Sequence, residues 1–183
     1  MVDVTIRAGL PADADAIARV QVASWRAAYR GLVPDAHLDG LDWRERAAVR
    51  RGQLARAADE GVRVHVAVSG ESLAGFVATG PERDGDLAAR GAQEVYAIYV
   101  APRDWGKGFG RGLLGRAVDD VPPEIACVLW VLADNQRARE FYERQGFWAD
   151  GSTKSIQIGG HDLGEVRYRL DRSSGQVAKP SDR

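Results

Sequence analysis

Two strand-like runs joined by a glycine-rich segment and a helix restrict the fold of this chain more than any other feature. Residues 94–100 and 126–132 are rich in β-branched and aromatic side chains, and residues 113–118 between them have the spacing of a buried helix face. Two strands connected through a helix form a parallel pair with a right-handed crossover in nearly all known folds. The chain is therefore predicted to contain a β-α-β unit.

The remaining segments predict antiparallel strands and further helices around this unit, because short turn signals separate consecutive apolar runs. The additional predicted strands are residues 2–7, 62–68, 73–79, 147–156 and 164–170. The additional predicted helices are residues 11–30, 36–60 and 135–145, with Gly40 and Gly52 placed to divide the second of them. The order β-α-α-β-β-β-α-β-α-β-β predicts an α/β fold with a mixed, mostly antiparallel sheet, a central parallel strand pair and helices on both faces.

Charge and cysteine content exclude several functional classes. The 25 Lys and Arg residues nearly cancel the 26 Asp and Glu residues, so no overall field draws the chain to nucleic acid or to an anionic membrane. The single cysteine, Cys127, cannot form an internal disulfide, and it makes no zinc-ligand spacing with the three histidines. We therefore predict neither a metal nor a nucleic-acid or membrane partner.

The length and the chain ends point to one cytoplasmic domain. No apolar run approaches the roughly 20 residues of a membrane span, and the N-terminus lacks the pattern of a signal peptide. Residues 1–171 are predicted to form a single domain, followed by a polar, disordered tail over residues 172–183. A homodimer is left open.

The run Gly-Lys-Gly-Phe-Gly-Arg-Gly at residues 106–112 lies between the first strand of the β-α-β unit and its helix. Glycines let the backbone approach a ligand closely, and the first turn of a helix leaves N–H groups unpaired with partial positive charge. These two properties together favour a phosphate or pyrophosphate ligand. A flexible turn without a ligand is the alternative interpretation of the same run.

Two other phosphate-binding patterns fit less well. The Walker pattern is absent from the sequence. Gly110, Gly112 and Gly115 match the glycines of a dinucleotide fingerprint, with Asp134 placed 19 residues after the last of them. That fingerprint should follow its strand directly, whereas residues 101–109 intervene here and place two of the glycines inside the predicted helix. Dinucleotide binding is therefore disfavoured.

Two motifs of this chain resemble signatures of the GCN5-related N-acetyltransferases, the GNAT superfamily. Residues 94–102 (Glu-Val-Tyr-Ala-Ile-Tyr-Val-Ala-Pro), the glycine run and Leu113-Leu114 resemble that family's acetyl-CoA signature. Residues 129–147 resemble its second signature, and the element order matches the family fold to about Leu170. The resemblance implies a GNAT-like fold and an enzyme that moves an acetyl group from acetyl-CoA directly to a small-molecule or peptide amine. A non-catalytic acyl-CoA-binding module is the alternative.

The same resemblance implies which residues hold acetyl-CoA. The backbone of residues 98–100 would pair with the pantetheine arm, the amides of the glycine run would hold the pyrophosphate, and a bulge near Tyr99 would free an N–H. Trp105 stands where the family usually has Arg or Gln. The implied cofactor-binding residues are Ile98, Tyr99, Val100, Trp105, Gly106, Lys107, Gly108, Phe109, Gly110, Arg111, Asn135 and Tyr142.

Catalytic and acceptor-binding residues are implied as well. Glu94 matches the candidate base that takes a proton from the amine, with an ordinary strand-end carboxylate as its other interpretation. Tyr142 matches the tyrosine that protonates the departing thiolate, since a phenol keeps its proton at neutral pH; its other interpretation is packing against the sheet. Trp25 and Tyr29 are the candidate acceptor-binding residues, with packing in the core as the other interpretation of both. The acidic side chains of the loop at residues 80–93 would suit a cationic acceptor; they are Glu82, Asp84 and Asp86.

Overall fold

Seven strands form one mixed sheet in the computed structural model, which describes residues 4–87 and 90–172. The strands are β1 (Val4–Ala8), β2 (Arg63–Ser69), β3 (Ser72–Pro81), β4 (Gln93–Val100), β5 (Cys127–Leu132), β6 (Trp148–Ile158) and β7 (His161–Leu170). They lie in the order β1-β2-β3-β4-β5-β7-β6. Only β4 and β5 are parallel; the other five neighbouring pairs are antiparallel. This confirms the predicted mixed sheet and its central parallel pair.

Five helices flank the sheet in the described residues: α1 (Ala14–Ala28), α2 (Asp35–Asp39), α3 (Trp43–Arg56), α4 (Phe109–Asp119) and α5 (Gln136–Arg144). The predicted helix over residues 36–60 is divided at Gly40, as expected. The helix restarts there because the Asp42 carboxylate accepts a hydrogen bond from the Arg44 N–H at 2.8 Å and caps α3. Gly52 lies inside α3 and does not divide it.

The alternation of side chains along β2 and β3 explains why helices cover both faces of the sheet. Val66 and Phe76 pack in the core cluster that contains the buried face of α1. Their strand neighbours Ala67 and Val77 point the other way and pack in the cluster that contains α4 and α5. The predicted helices on both faces are therefore confirmed.

The parallel pair stays together for only three residues. Pairing between β4 and β5 begins at Gln93 opposite Cys127 and ends at Val95 opposite Leu129. Beyond this point β4 continues to Val100 while β5 continues to Leu132 with no ladder between them. The two strands therefore splay apart and open a gap in the centre of the sheet.

A bulge in β4 lies at the start of this gap. Ala97 pairs with Ala78 and Val95 pairs with Thr79, so Tyr96 is an extra residue without a partner on β3. The bulge was expected near Tyr99, and it lies three residues before that position. Two contacts of Tyr96 fix the bulge there. Its ring lies against Gly80, where an added Cβ would come within 2.5 Å of the Tyr96 hydroxyl. That hydroxyl also donates a hydrogen bond to the Pro81 carbonyl at 2.6 Å.

The C-terminal strands β6 and β7 are longer than predicted and turn at Gly159-Gly160, as expected. Both glycines have positive φ, which favours glycine at this turn. The predicted tail falls outside the described residues from residue 173 onward, so the domain boundary stays a prediction. Within residues 4–87 and 90–172, none of the helices is both long and apolar enough to cross a membrane.

Candidate functional site

The gap between β4 and β5 opens into a cavity of about 800 Å³ that passes from the α1 side of the sheet to the α4 side. Its walls come from the ends of α1, β4 and β5, the glycine run, α5 and the β6–β7 hairpin. All the sequence-predicted site residues line it, except Glu94 and the three acidic residues of the loop after β3: Trp25, Tyr29, Ile98, Tyr99, Val100, Trp105, Gly106, Lys107, Gly108, Phe109, Gly110, Arg111, Asn135 and Tyr142. The fold thus brings residues from four separate segments to one place.

The edge of β4 along the gap has free backbone groups. In the antiparallel ladder between β3 and β4, every second residue of β4 hydrogen-bonds with β3. The Ala101 N–H donates to the Ala74 carbonyl at 2.7 Å, which shows which residues these are. In this register Tyr99 bonds with β3, whereas the N–H groups of Ile98 and Val100 point toward β5, which has diverged. This edge can accept an extended ligand as an added strand.

The glycine run forms a loop that ends at the first turn of α4. Gly106 and Gly108 have φ of +78° and +90°, a left-handed conformation that side chains rarely adopt. The N–H groups of five residues donate no hydrogen bond to any described residue: Gly106, Gly108, Phe109, Gly110 and Arg111. Because these N–H groups lie at a helix N-terminus, the loop is suited to bind an anion.

Trp105 occupies the position where Arg or Gln was expected, and the structure gives it a clear role. Its indole Nε1 donates to the Val100 carbonyl at 2.8 Å, and the Ser24 Oγ donates to the same oxygen at 2.6 Å. The Arg137 guanidinium lies 3.7 Å from the centre of the Trp105 ring. Trp105 therefore fixes the end of β4 and holds a cation over the cavity.

Sequence reasoning missed Arg137, which lines the cavity two residues after Asn135. Arg137 lies within the second GNAT-like signature, residues 129–147, and this position could have singled it out. Nothing in the sequence shows that its guanidinium packs on the Trp105 ring. Arg111 also lines the cavity, and neither cation has an ion-pair partner among the described residues. Lys107, in contrast, is paired with Asp104 at 3.0 Å.

Helix α5 places Asn135 and Tyr142 on the cavity wall. The Asn135 Oδ1 accepts from the Ala138 N–H at 3.2 Å, which confirms the predicted helix cap. Tyr142 is 9% exposed and packs edge-on against Phe141 with ring centres 5.3 Å apart. Burial raises the pKa of Tyr142 above its ordinary value, and Tyr99 raises it further, so the phenol keeps its proton.

The α1 end of the cavity is aromatic. Trp25 and Tyr29 pack edge-on with ring centres 5.1 Å apart, and Tyr99 lies 6.5 Å from Trp25. Burial raises the pKa of Tyr29 well above its ordinary value, and Tyr99, Tyr142 and Glu165 raise it further. Tyr29, Tyr99, Tyr142 and Glu165 all line the cavity. Glu165, on β7, carried no signal in the sequence, because only the strand register places it here.

Glu94 is held in an ion pair away from this cavity. Its side chain is 1% exposed, and the Arg83 guanidinium donates to it from Nε at 3.1 Å and from Nη2 at 2.5 Å. The Arg83 backbone N–H adds a third bond at 3.2 Å, and Glu94 is not among the described lining residues. Its role as the base stays a prediction, while its surroundings favour a role in anchoring the loop after β3.

We expect Glu94→Gln to lower the free energy of unfolding by about 1–3 kcal/mol, because Arg83 loses its charged, buried partner. Urea denaturation measures this change. The matched control is Glu60→Gln, which removes an exposed ion pair to Arg56 just after α3 and should cost at most about 0.5 kcal/mol. Equal losses in the two variants would contradict the anchoring role.

The acidic loop after β3 does not present its carboxylates to the cavity. Asp84 is paired with Lys154 at 2.9 Å, and Asp86 is paired with Arg167 at 2.8 Å. Glu82 accepts from the backbone N–H groups of residues 84 and 85. The three carboxylates were expected to suit a cationic acceptor. They are instead engaged in bonds that hold the loop.

The sequence model of the acetyltransferase (GNAT) family matches residues 22–147 of this chain. A Mycobacterium tuberculosis protein named a probable N-acetyltransferase is 30% identical over 94% of this chain and 96% of its own length. A Bacillus subtilis protein, named an uncharacterized N-acetyltransferase, is 30% identical over 92% of this chain and 99% of its own length.

A solved structure with a similar fold is the PaiA N-acetyltransferase from Thermoplasma acidophilum, which is in complex with coenzyme A. It superposes with a TM-score of 0.70 at 20% identity, covering 90% of this chain and 98% of that protein. This likeness confirms the predicted fold class.

Proposed function

The chain belongs to the acetyltransferase (GNAT) family and is an acetyl-CoA-dependent N-acetyltransferase, and from this premise we propose that it moves the acetyl group directly to the nitrogen of a small-molecule or peptide amine. One observation carries the proposal. The gap between β4 and β5 joins an anion-binding loop on one side to a buried, protonated Tyr142 and an aromatic acceptor end on the other.

The proposed placement of acetyl-CoA follows the free hydrogen-bonding groups. The pantetheine arm lies along β4 and bonds with the backbone of Ile98, as an added strand does, which leaves the Val100 N–H for the thioester. The pyrophosphate lies on the unpaired N–H groups of the glycine run, with Arg111 and Arg137 supplying positive charge. Asn135 keeps its amide N–H₂ for the pantetheine because its oxygen is engaged in the helix cap.

The proposed chemistry uses groups at the splay. The Val100 N–H faces the thioester oxygen and stabilises the negative charge that develops there during attack. Tyr142 donates its proton to the departing thiolate, which the raised pKa of this phenol supports because the proton is still present at neutral pH. Cys127 is buried in the core on the α4 face and does not line the cavity, which favours direct transfer over a covalent intermediate.

The test is a turnover assay with acetyl-CoA and a panel of amines, in which the released coenzyme A thiol is detected. The panel contains an arylalkylamine, a polyamine, amino acids and a peptide with a free N-terminus. We expect thiol release with at least one amine and acetylation of its nitrogen by mass spectrometry. Binding of acetyl-CoA without turnover of any amine would instead favour the non-catalytic acyl-CoA-binding module.

A further inference from the structure

One carboxylate in the cavity wall has no partner. Asp104 and Glu165 are the acidic residues among the described lining residues. Asp104 is paired with Lys107 at 3.0 Å and with Arg103 at 3.4 Å. Glu165 is half-buried, and its side chain makes neither a hydrogen bond nor an ion pair with any residue that the structure describes. Because no described cation neutralises it, this carboxylate would attract a cationic ligand that enters the cavity.

The cation that lies opposite Glu165 is engaged elsewhere. Lys154 on β6 is the strand partner of Glu165, but its Nζ bonds to the Asp84 carboxylate at 2.9 Å. The same Nζ lies 4.0 Å from the centre of the Trp130 ring, whose Nε1 donates to Asp84 at 2.6 Å. The loop after β3 therefore holds Lys154 in place, and Glu165 remains free to face the cavity.

The walls around Glu165 suit an ammonium carried on an apolar body. They are aromatic and aliphatic side chains: Trp25, Tyr29, Trp130, Leu132, Ile156 and Ile158. Aromatic faces attract ammonium groups, and a carboxylate in apolar surroundings binds one more strongly than it does in water.

Glu165 also lines the cavity that holds the groups of the transfer step. Tyr29, Tyr142 and Glu165 all lie on its wall, and both Tyr142 and Glu165 raise the pKa of Tyr29. Burial raises the pKa of Glu165 above that of an ordinary carboxyl group, which makes it a stronger base. The neighbouring charges act in both directions: Lys154 and Arg83 lower this pKa, while Glu94 and Asp84 raise it.

On the basis of the proposed function, we infer that Glu165 binds the acceptor's ammonium and removes its proton, and that the acceptor is a primary amine on an apolar, uncharged body. One proton of the ammonium passes to the Glu165 carboxylate. The neutral nitrogen then attacks the thioester carbon, so that the C–N bond forms while the C–S bond breaks. Tyr142 gives its proton to the thiolate and recovers one from the acylated nitrogen, and Glu165 releases its proton to solvent.

The experiment compares Glu165→Gln with the matched control Asp162→Asn, which removes an exposed carboxylate from the same strand outside the cavity. The acceptors are 2-phenylethylamine and phenylalanine, which differ by the carboxylate beside the amine. We expect wild type to use 2-phenylethylamine at least about 10-fold better in kcat/KM, since the phenylalanine carboxylate would meet Glu165. Asp162→Asn should behave as wild type.

With 2-phenylethylamine at pH 7, Glu165→Gln should lower kcat/KM by about 100-fold. The loss should shrink to less than about 10-fold at pH 10, where the free amine is abundant without a base. Binding of acetyl-CoA, measured by calorimetry, should be unchanged in the variant. A purely structural role would instead give the same loss at every pH.

The outcomes separate this inference from the proposed function. If wild type releases no thiol with any amine of the panel, the proposed function is wrong. If wild type is active but Glu165→Gln loses less than about 3-fold, or loses the same at pH 7 and pH 10, the role of Glu165 is wrong. Turnover of phenylalanine or a polyamine in preference to 2-phenylethylamine would overturn the acceptor class alone.

Discussion

Tyr142→Phe is expected to lower kcat by about 100- to 1,000-fold while acetyl-CoA binds as tightly as to wild type. The variant keeps the ring that packs against Phe141 and Phe147 and removes only the hydroxyl. Without this donor the thiolate must leave unprotonated or take a proton from water. Steady-state kinetics with thiol detection measures kcat, and calorimetry measures the acetyl-CoA Kd.

The matched control is Tyr168→Phe, which also removes a phenol hydroxyl from a buried tyrosine of the same core cluster. The Tyr168 hydroxyl bonds to Glu143 and Arg139 rather than to the cavity, so this variant should lose stability but keep kcat within about 3-fold. If Tyr142→Phe retains most of the wild-type kcat, Tyr142 is a packing residue and the proton comes from another group.

The fold was predictable because its decisive signals are local. The glycine run, the apolar strand before it and the cap at Asn135 each lie within a few residues, and together they predict the central parallel pair. The bulge was placed near Tyr99 rather than at Tyr96, because the close approach of the Tyr96 ring to Gly80 involves residues 16 positions apart. Contacts of this kind leave no periodic pattern in the sequence.

The acceptor side of the site was less predictable for the same physical reason. A carboxylate is free or engaged depending on which cation the fold brings to it, and the sequence does not show these pairings. Arg83 reaches Glu94, and Lys154 reaches Asp84 across 70 positions, whereas Glu165 is left without a partner among the described residues. The carboxylates that stand out in the sequence are therefore the ones that stabilise the loop.

Gly108→Trp is expected to weaken acetyl-CoA binding by at least about 100-fold, which corresponds to about 2.7 kcal/mol. Gly108 precedes α4 with φ of +90°, so a side chain there strains the loop. The indole would also cover the N–H groups of residues 109–111, and each lost charge-assisted bond to the pyrophosphate costs about 1.5–3 kcal/mol. Calorimetric titration with acetyl-CoA measures the loss.

Gly115→Trp provides the matched control, because Gly115 lies within α4 with nothing within 4 Å of its added Cβ and no positive φ. It introduces the same bulk two turns further along the chain, inside α4, and acetyl-CoA should bind to it as to wild type. Titration of wild type with NADH tests the dinucleotide alternative, whose Gly112 and Gly115 lie inside α4 here. If Gly108→Trp binds acetyl-CoA normally, or if Gly115→Trp weakens binding equally, then the pyrophosphate does not lie on the N–H groups of this loop.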